Sequence, residues 1–169
     1  MNSNDAFQKI LKSYERYYDV STENIEAPFA AEAVFNSHNE QYFLIKEAKL
    51  SDIDSNEFVF FYVDSDVTQG ESSLSQEDIN SISEKAWLRG LERVKPYYGH
   101  RNTDITFIYI SEKITDETFR LFKKLKYYKS YKFGLYGWSA FRALAYETST
   151  GRAVTNRRGS DLKKLAANL

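Results

Sequence analysis

Apolar positions along this chain repeat at two periods, and the switches between them divide it into elements. Between positions 5 and 18, Phe7, Ile10, Leu11, Tyr14, Tyr17 and Tyr18 recur at helical spacing. Ser3 or Asn4 can cap the first turn with a side-chain oxygen. Residues 21–28 read as a loop and 29–35 as a strand. A turn at Ser37-His38-Asn39-Glu40 leads into a returning strand over 41–50, with Phe43 and Ile45 on one face and Tyr42 and Leu44 on the other. After a polar turn over 51–56, residues 58–63 are apolar without interruption, the mark of a strand covered on both faces. The polar stretch 64–75 reads as a loop.

The second half starts with a strong helix signal. Ser75 stands where an N-cap should be, Asp78 follows three residues later, and Leu74 and Ile79 can close a hydrophobic staple. Ile79, Ile82, Ala86, Leu91 and Val94 carry the period until Pro96 ends it. Residues 105–110 are a strand. Thr115 caps a third helix, with Ile114 and Phe119 as its staple and Asp116 and Glu117 at its positive end. Beyond Tyr127 the period returns to two: Tyr131, Phe133 and Leu135 alternate with Lys132 and Gly134, predicting a strand. Residues 138–147 predict another. Thr148-Ser149-Thr150-Gly151 turns the chain into a third over 152–156. Gly159 interrupts, and Ser160 can cap a short final helix through Leu162 and Leu165.

This order predicts one α+β domain over residues 1–169. Its mixed, mainly antiparallel sheet would have 58–63 and 105–110 as central strands and the three long helices packed mostly on one face. The chain is long enough to bury a core without cross-links. Two prolines and no Gly-Ser linker leave no domain boundary, and no repeat is visible. Edge strands near 131–156 offer a surface through which a homodimer could form.

Composition narrows the class. The absence of cysteine excludes a disulfide framework, a thiolate nucleophile and a cysteine-based zinc site, and it suits a reducing compartment. The first twelve residues lack the basic start and apolar run of a secretory signal. The longest strongly apolar run, 58–63, is far too short to span a bilayer. A cytoplasmic protein without a membrane partner is expected.

Charge is nearly balanced overall but not along the chain. Residues 1–119 hold 11 Lys or Arg against 22 Asp or Glu, whereas 120–169 hold 12 Lys or Arg and only Glu147 and Asp161 as acids. Such asymmetry either marks nucleic acid or another anionic partner, or is neutralised when the two parts fold together. Lys123, Lys124, Lys126, Lys129 and Lys132 interleave with Phe122, Tyr127, Tyr128, Tyr131, Phe133, Tyr136 and Trp138, and Arg142, Arg152, Arg157 and Arg158 follow. Cations bind phosphates with counterion release, and aromatic faces stack on unpaired bases. Lys129, Lys132, Arg142, Arg157, Arg158 and Trp138 are therefore the candidate binding residues. The same pattern also fits lysines on a solvated face with aromatics turned to the core.

The candidate catalytic residues are Glu32, Glu47 and Lys49. Glu47-Ala48-Lys49 lies near the end of an apolar strand with Glu32 upstream, and Glu47 and Lys49 point to one face. Two carboxylates holding a divalent cation, with a lysine beside the attacking water, is nuclease chemistry. Element order over about residues 5–110 and this acid-x-lysine resemble restriction-endonuclease-like nucleases, although Glu32 follows Ala30 and Ala31 rather than a Pro-Asp. No cofactor is expected: there is no glycine-rich phosphate loop, and His38 and His100 form no zinc motif. Ser139 lacks the following glycine of a nucleophile elbow.

The chain also resembles a family of small uncharacterised bacterial proteins. The resemblance rests on Asn39-Glu40-Gln41-Tyr42-Phe43-Leu44, Asn56-Glu57-Phe58-Val59-Phe60-Phe61, Gly137-Trp138 and Thr155-Asn156-Arg157. It spans nearly the whole chain and implies no activity. With no complete catalytic constellation in view, the sequence reads first as a non-enzymatic binding or interaction protein of unknown ligand. The nuclease and a binder of single-stranded nucleic acid stand beside it as alternatives.

Overall fold

The computed structural model describes residues 1–35, 56–65, 74–96 and 102–169. The strand expected over 41–50, with Glu47 and Lys49, lies outside those residues. So do His38, most of the loop expected over 64–75, and residues 97–100 with His100.

Helix α1 (Ser3–Tyr14) is capped by Asn2, whose Oδ1 accepts from the Asp5 amide at 2.8 Å. It ends earlier than the apolar spacing suggests, because Tyr18 belongs to strand β1 (Tyr18–Ser21), which pairs antiparallel with β2 (Ala31–Phe35). Tyr18 meets Tyr14 edge-on at 4.7 Å and lies against Phe35 at 5.2 Å, so a side chain at helical spacing is half-buried from a strand. β3 (Asn56–Asp64) leads to α2 (Gln76–Arg93), which starts with the expected capping box of Ser75 and Asp78. β4 (Asn102–Ser111) and α3 (Asp116–Lys124), capped by Thr115, follow. Next come β5 (Tyr128–Ser130), β6 (Trp138–Glu147) and β7 (Ala153–Thr155). A 3₁₀ turn (Ser160–Leu162) and α4 (Lys163–Ala167) close the chain; Ser160 provides no side-chain cap.

The strands form one mixed sheet in the order β1-β2-β3-β4-β6-β5, with β7 also on β6. Pairing is antiparallel except at β3–β4 and β4–β6, and α2 and α3 supply the crossovers those two parallel pairs require. β3 and β4 are central, as their apolar runs predict. β6 inserts beside β4, which builds the basic C-terminal third into the same sheet as the acidic part.

Alternate residues of the central strands face opposite layers. Phe60, Phe107, Tyr109 and Phe141 pack with Ile79, Trp87, Phe119 and Phe122 of α2 and α3. Val59, Phe61, Ile108 and Leu144 pack with Phe7, Ile10 and Tyr14 of α1 and with Ala166 of α4. Two of the three long helices thus share a face, and α1 with α4 covers the other. A sheet buried on both sides is the reason β3 and β4 carry apolar residues on both faces over 58–63 and 105–110. Gly90 lets α2 approach β4: a Cβ there would lie 2.7 Å from the Ile105 side chain.

The strand expected over 131–135 does not form. β5 stops at Ser130, and a 3₁₀ turn (Lys132–Gly134) follows, with Lys132 and Phe133 in left-handed conformation at φ 48° and 54°. The reason is register. Ser130 already pairs with Trp138, the first residue of β6, so the seven intervening residues must reverse the chain. Gly134 and Gly137, at φ 88° and 79°, make the reversal tight. Phe133 and Leu135 therefore point to solvent rather than alternating into the core.

Candidate anion-binding cleft

Two short strands share one edge of β6 without meeting. β5 lies opposite Trp138–Ala140, and β7 opposite Leu144–Tyr146. Between them, on this edge, Phe141, Arg142 and Ala143 lack a strand partner; beside the backbone bonds Phe141 N to Tyr127 O at 3.0 Å and Asn156 N to Ala143 O at 3.2 Å, one side chain bridges the gap. Asn156, just past β7, is buried; its Nδ2 donates to Phe141 O at 2.9 Å and to Leu125 O at 3.0 Å. Its Oδ1 accepts from the Ala143 and Gly159 amides, both at 2.9 Å. All four hydrogen-bonding capacities of the amide are used, which also fixes its orientation. Gly159 fits against it only without a side chain, since a Cβ would stand 2.9 Å from Asn156 Oδ1 and 3.0 Å from Ala143 O.

This lock joins two cationic segments. Lys123 and Lys124 occupy the last turn of α3, where the helix dipole favours them, and Lys126 follows the Leu125 cap. Arg157 and Arg158 follow Asn156. Together they line a cleft of ≈ 630 Å³ floored by Phe141 and Tyr127. Tyr127 stacks on Trp87 at 5.6 Å and meets Phe141 edge-on at 5.0 Å, so the floor belongs to the core. Burial, with a smaller push from Glu84, raises the Tyr127 hydroxyl above its ordinary pKa and keeps it neutral. Among the described residues, none of the five cations forms an ion pair with a carboxylate. Arg158 also lies 5.5 Å from the ring centre of Tyr128, which is half exposed and on the same sheet face as Trp138.

The remaining arginines near the sheet are engaged internally. Arg142 Nη1 donates to Glu57 Oε1 at 2.9 Å, its Nη2 donates to Asp161 Oδ2 at 2.6 Å, and Asp104 lies at 4.0 Å. Glu57 further accepts from Tyr18 and Thr106, each at 2.6 Å. This cluster borders a second cavity of ≈ 350 Å³ beside Tyr14, whose hydroxyl burial holds in the neutral form. Arg152 pairs with Asp116 at 2.7 Å. The charge asymmetry is thus resolved in two ways: Arg142 and Arg152 meet acids from the earlier part of the chain, and the cleft cations stay open.

Burial raises Asp104 above the ordinary carboxylate pKa, against the pull of Arg142 and, more weakly, of Arg158. Its proton is bound more tightly in the fold than in the unfolded chain. That contribution to stability is complete below the ordinary carboxylate value and is lost as pH rises through the raised one. Asp104→Asn is therefore expected to raise Tm near pH 7 and to leave it unchanged near pH 3. Melts at the two pH values check this; an equal shift at both would refute the assignment.

The sequence-predicted residues fall into separate places. Arg157 and Arg158 line the cleft. Lys129 and Lys132 lie on β5 and the following turn, with Lys129 Nζ 5.6 Å from the Tyr131 ring centre. Trp138 opens β6 and is partly exposed. Arg142 points inward to its acids and does not reach the cleft. Glu32 is buried with both oxygens occupied, one by Arg89 Nε at 3.0 Å and the other by Arg93. Glu47 and Lys49 lie outside the described residues. Among those residues, no group of three His, Asp or Glu is placed to hold a metal, and no helix is long and apolar enough to cross a membrane. The key missed residue is Asn156. In the sequence it stands out only within Thr155-Asn156-Arg157, which gives it no role, because its value lies in completing the edge of a strand 13 to 15 residues away.

The fold is that of a small α+β protein, and its cleft gathers five cations from two segments of the C-terminal third. The chain belongs to the family described as Domain of unknown function (DUF8052), which matches residues 2–168. No curated protein and no solved structure matches it. Membership of a family without assigned function agrees with the resemblance drawn from the sequence, and the family match gives the nuclease resemblance no support.

Proposed function

We propose that this chain is a non-enzymatic protein that binds single-stranded nucleic acid. Its phosphates would lie along Lys123, Lys124, Lys126, Arg157 and Arg158, and its bases would rest on Tyr128 and Trp138. The observation that carries this reading is Arg158. It lines a cleft whose cations have no acidic partner among the described residues, and it also covers an exposed aromatic ring. A phosphate site alone needs no aromatic face, whereas a single strand presents phosphates and unpaired bases side by side. Lys129 and Lys132 extend the positive charge along the strand path. A nucleic-acid ligand also accords with a cytoplasmic location.

The test is fluorescence anisotropy with labelled oligo(dT) across a salt series. Five phosphate contacts on a single strand give a slope of log K against log salt of about −3.5. Arg157→Glu with Arg158→Glu is expected to lower affinity at least tenfold and to flatten that slope by about 1.4. Arg152→Glu, outside the cleft, serves as the control for net charge. No binding at low salt, or binding indifferent to salt, rules the reading out.

A further inference from the structure

The turn between β5 and β6 places its apolar residues where burial cannot explain them. Phe133 is fully exposed, Leu135 is mostly exposed, and Trp138 adds a partly exposed ring at the base. Loose loops often carry a stray apolar residue, but this one is built. Gly134 N donates to Tyr131 O at 3.0 Å, Leu135 N to Lys132 O at 3.0 Å, Tyr136 N to Tyr131 O at 3.1 Å, and Tyr131 N to Gly137 O at 3.0 Å. The Tyr131 hydroxyl is hydrogen-bonded to Ser139 at 2.8 Å. Two consecutive non-glycine residues, Lys132 and Phe133, are held at positive φ. Left-handed backbone is costly for a bulky residue, and such strain persists where the surroundings impose it and a function uses it. Here it aims Phe133 outward.

The charge around the tip selects its occupant. Lys129 and Lys132 flank it, and the sequence from 118 to 146 contains no Asp or Glu. The partner is therefore anionic. Leu135 has no π-face and adds nothing to a flat stacking platform, which Tyr128 and Trp138 already provide. A projecting Phe-Leu pair on a rigid support is suited to insertion between base steps, as apolar wedges are in proteins that unstack nucleic acid.

Resting on the reading above, we infer that the turn 131–137 is a wedge. Phe133 and Leu135 cap or part the last base pair of a duplex while the adjoining single strand runs over Tyr128 and Trp138 into the cationic cleft. The preferred ligand is a junction between duplex and single strand, not a plain single strand. Lys129 and Lys132 would hold the phosphates at the fork.

The experiment uses the full chain and three labelled probes of equal length: a single strand, a blunt duplex, and a hairpin with a single-stranded tail carrying 2-aminopurine at the junction. The junction is expected to bind at least tenfold tighter than the single strand, with 2-aminopurine fluorescence rising as the terminal pair unstacks. Phe133→Asn, which keeps a residue tolerant of positive φ, combined with Leu135→Ser should abolish the preference and the fluorescence rise. Single-strand affinity should stay within about twofold. Tight single-strand binding without junction preference overturns the wedge and leaves the binding function standing. Loss of all nucleic-acid binding removes both. If the variant instead loses retention on phosphatidylserine vesicles, or loses a concentration-dependent dimer, the tip belongs to a bilayer or to a second copy and the wedge is wrong.

Discussion

Replacing Asn156 with leucine is expected to destabilise the protein by about 3–5 kcal/mol, although leucine is apolar, has the same branching and is placed in a buried site. The amide serves Phe141 O, Leu125 O and the amides of Ala143 and Gly159. Leucine leaves all four without that partner, and each unsatisfied buried backbone group costs about 1–3 kcal/mol. Local relaxation and entering water recover part of the sum. In a chain of this length the loss corresponds to a fall in Tm of roughly 6–20 °C. Asn156→Asp separates geometry from packing. It keeps the two acceptor contacts but turns a carboxylate oxygen toward Phe141 O and Leu125 O, so it too should melt early, and recover as acid protonates the new group. Both variants release the segments bearing Lys124 and Arg158 from each other, so they should weaken oligonucleotide binding, and Asn156→Leu does so with the charge count of the cleft unchanged. Calorimetry and amide exchange at Ala143 and Gly159 are the readouts. Unaltered melting of Asn156→Leu contradicts the claim that this side chain stands in for a strand.

Arg142→Leu is expected to cost a comparable amount for a different reason. Arg142 and Glu57 are nearly buried, and removing one member of a buried pair leaves the other charged and desolvated, at about 3–5 kcal/mol. Asp104, already raised by burial, loses the cation that holds it down. Two consequences separate this from a simple packing defect. The Tm deficit should shrink as pH falls, because protonating Asp104, whose carboxyl burial already raises, removes a stranded charge. Glu57→Gln in the Arg142→Leu background should also recover much of the loss, a coupling that a double-mutant cycle measures. A deficit that is constant from about pH 7 to pH 4 and additive with Glu57→Gln argues that Arg142 contributes only its bulk. Because Arg142 does not line the cleft, oligonucleotide affinity measured well below Tm should be unaffected.

Much of the scaffold follows from local rules. The capping box at Ser75 and Asp78, the Thr115 cap, the uninterrupted apolar run in β3 and the strand from Trp138 to Glu147 each obey a short-range preference that tertiary packing does not oppose. β1 and the turn after β5 break the pattern because pairing decides them. Tyr18 and Phe133 sit at spacings that satisfy a helix and a strand in isolation, but β2 captures the first and the register with β6 leaves no partner for the second.

The candidate site was half legible. A stretch of cations without acids over 118–146 is a property of composition, and it directs attention to the C-terminal third. Which cations remain open to solvent is not a property of composition. Arg142 and Arg158 look alike in sequence, yet one alternates inward on a central strand onto Glu57 and the other stands beyond a buried asparagine at an open edge. The sequence by itself determined most of the elements, the caps at Ser75 and Thr115, the two-sided burial of the middle strands and the charge imbalance, all of which depend on residues within a few positions of one another. Only the tertiary structure decided which charges cancel, where the cleft opens and which apolar residues stay in water, because those outcomes depend on neighbours brought together from distant parts of the chain.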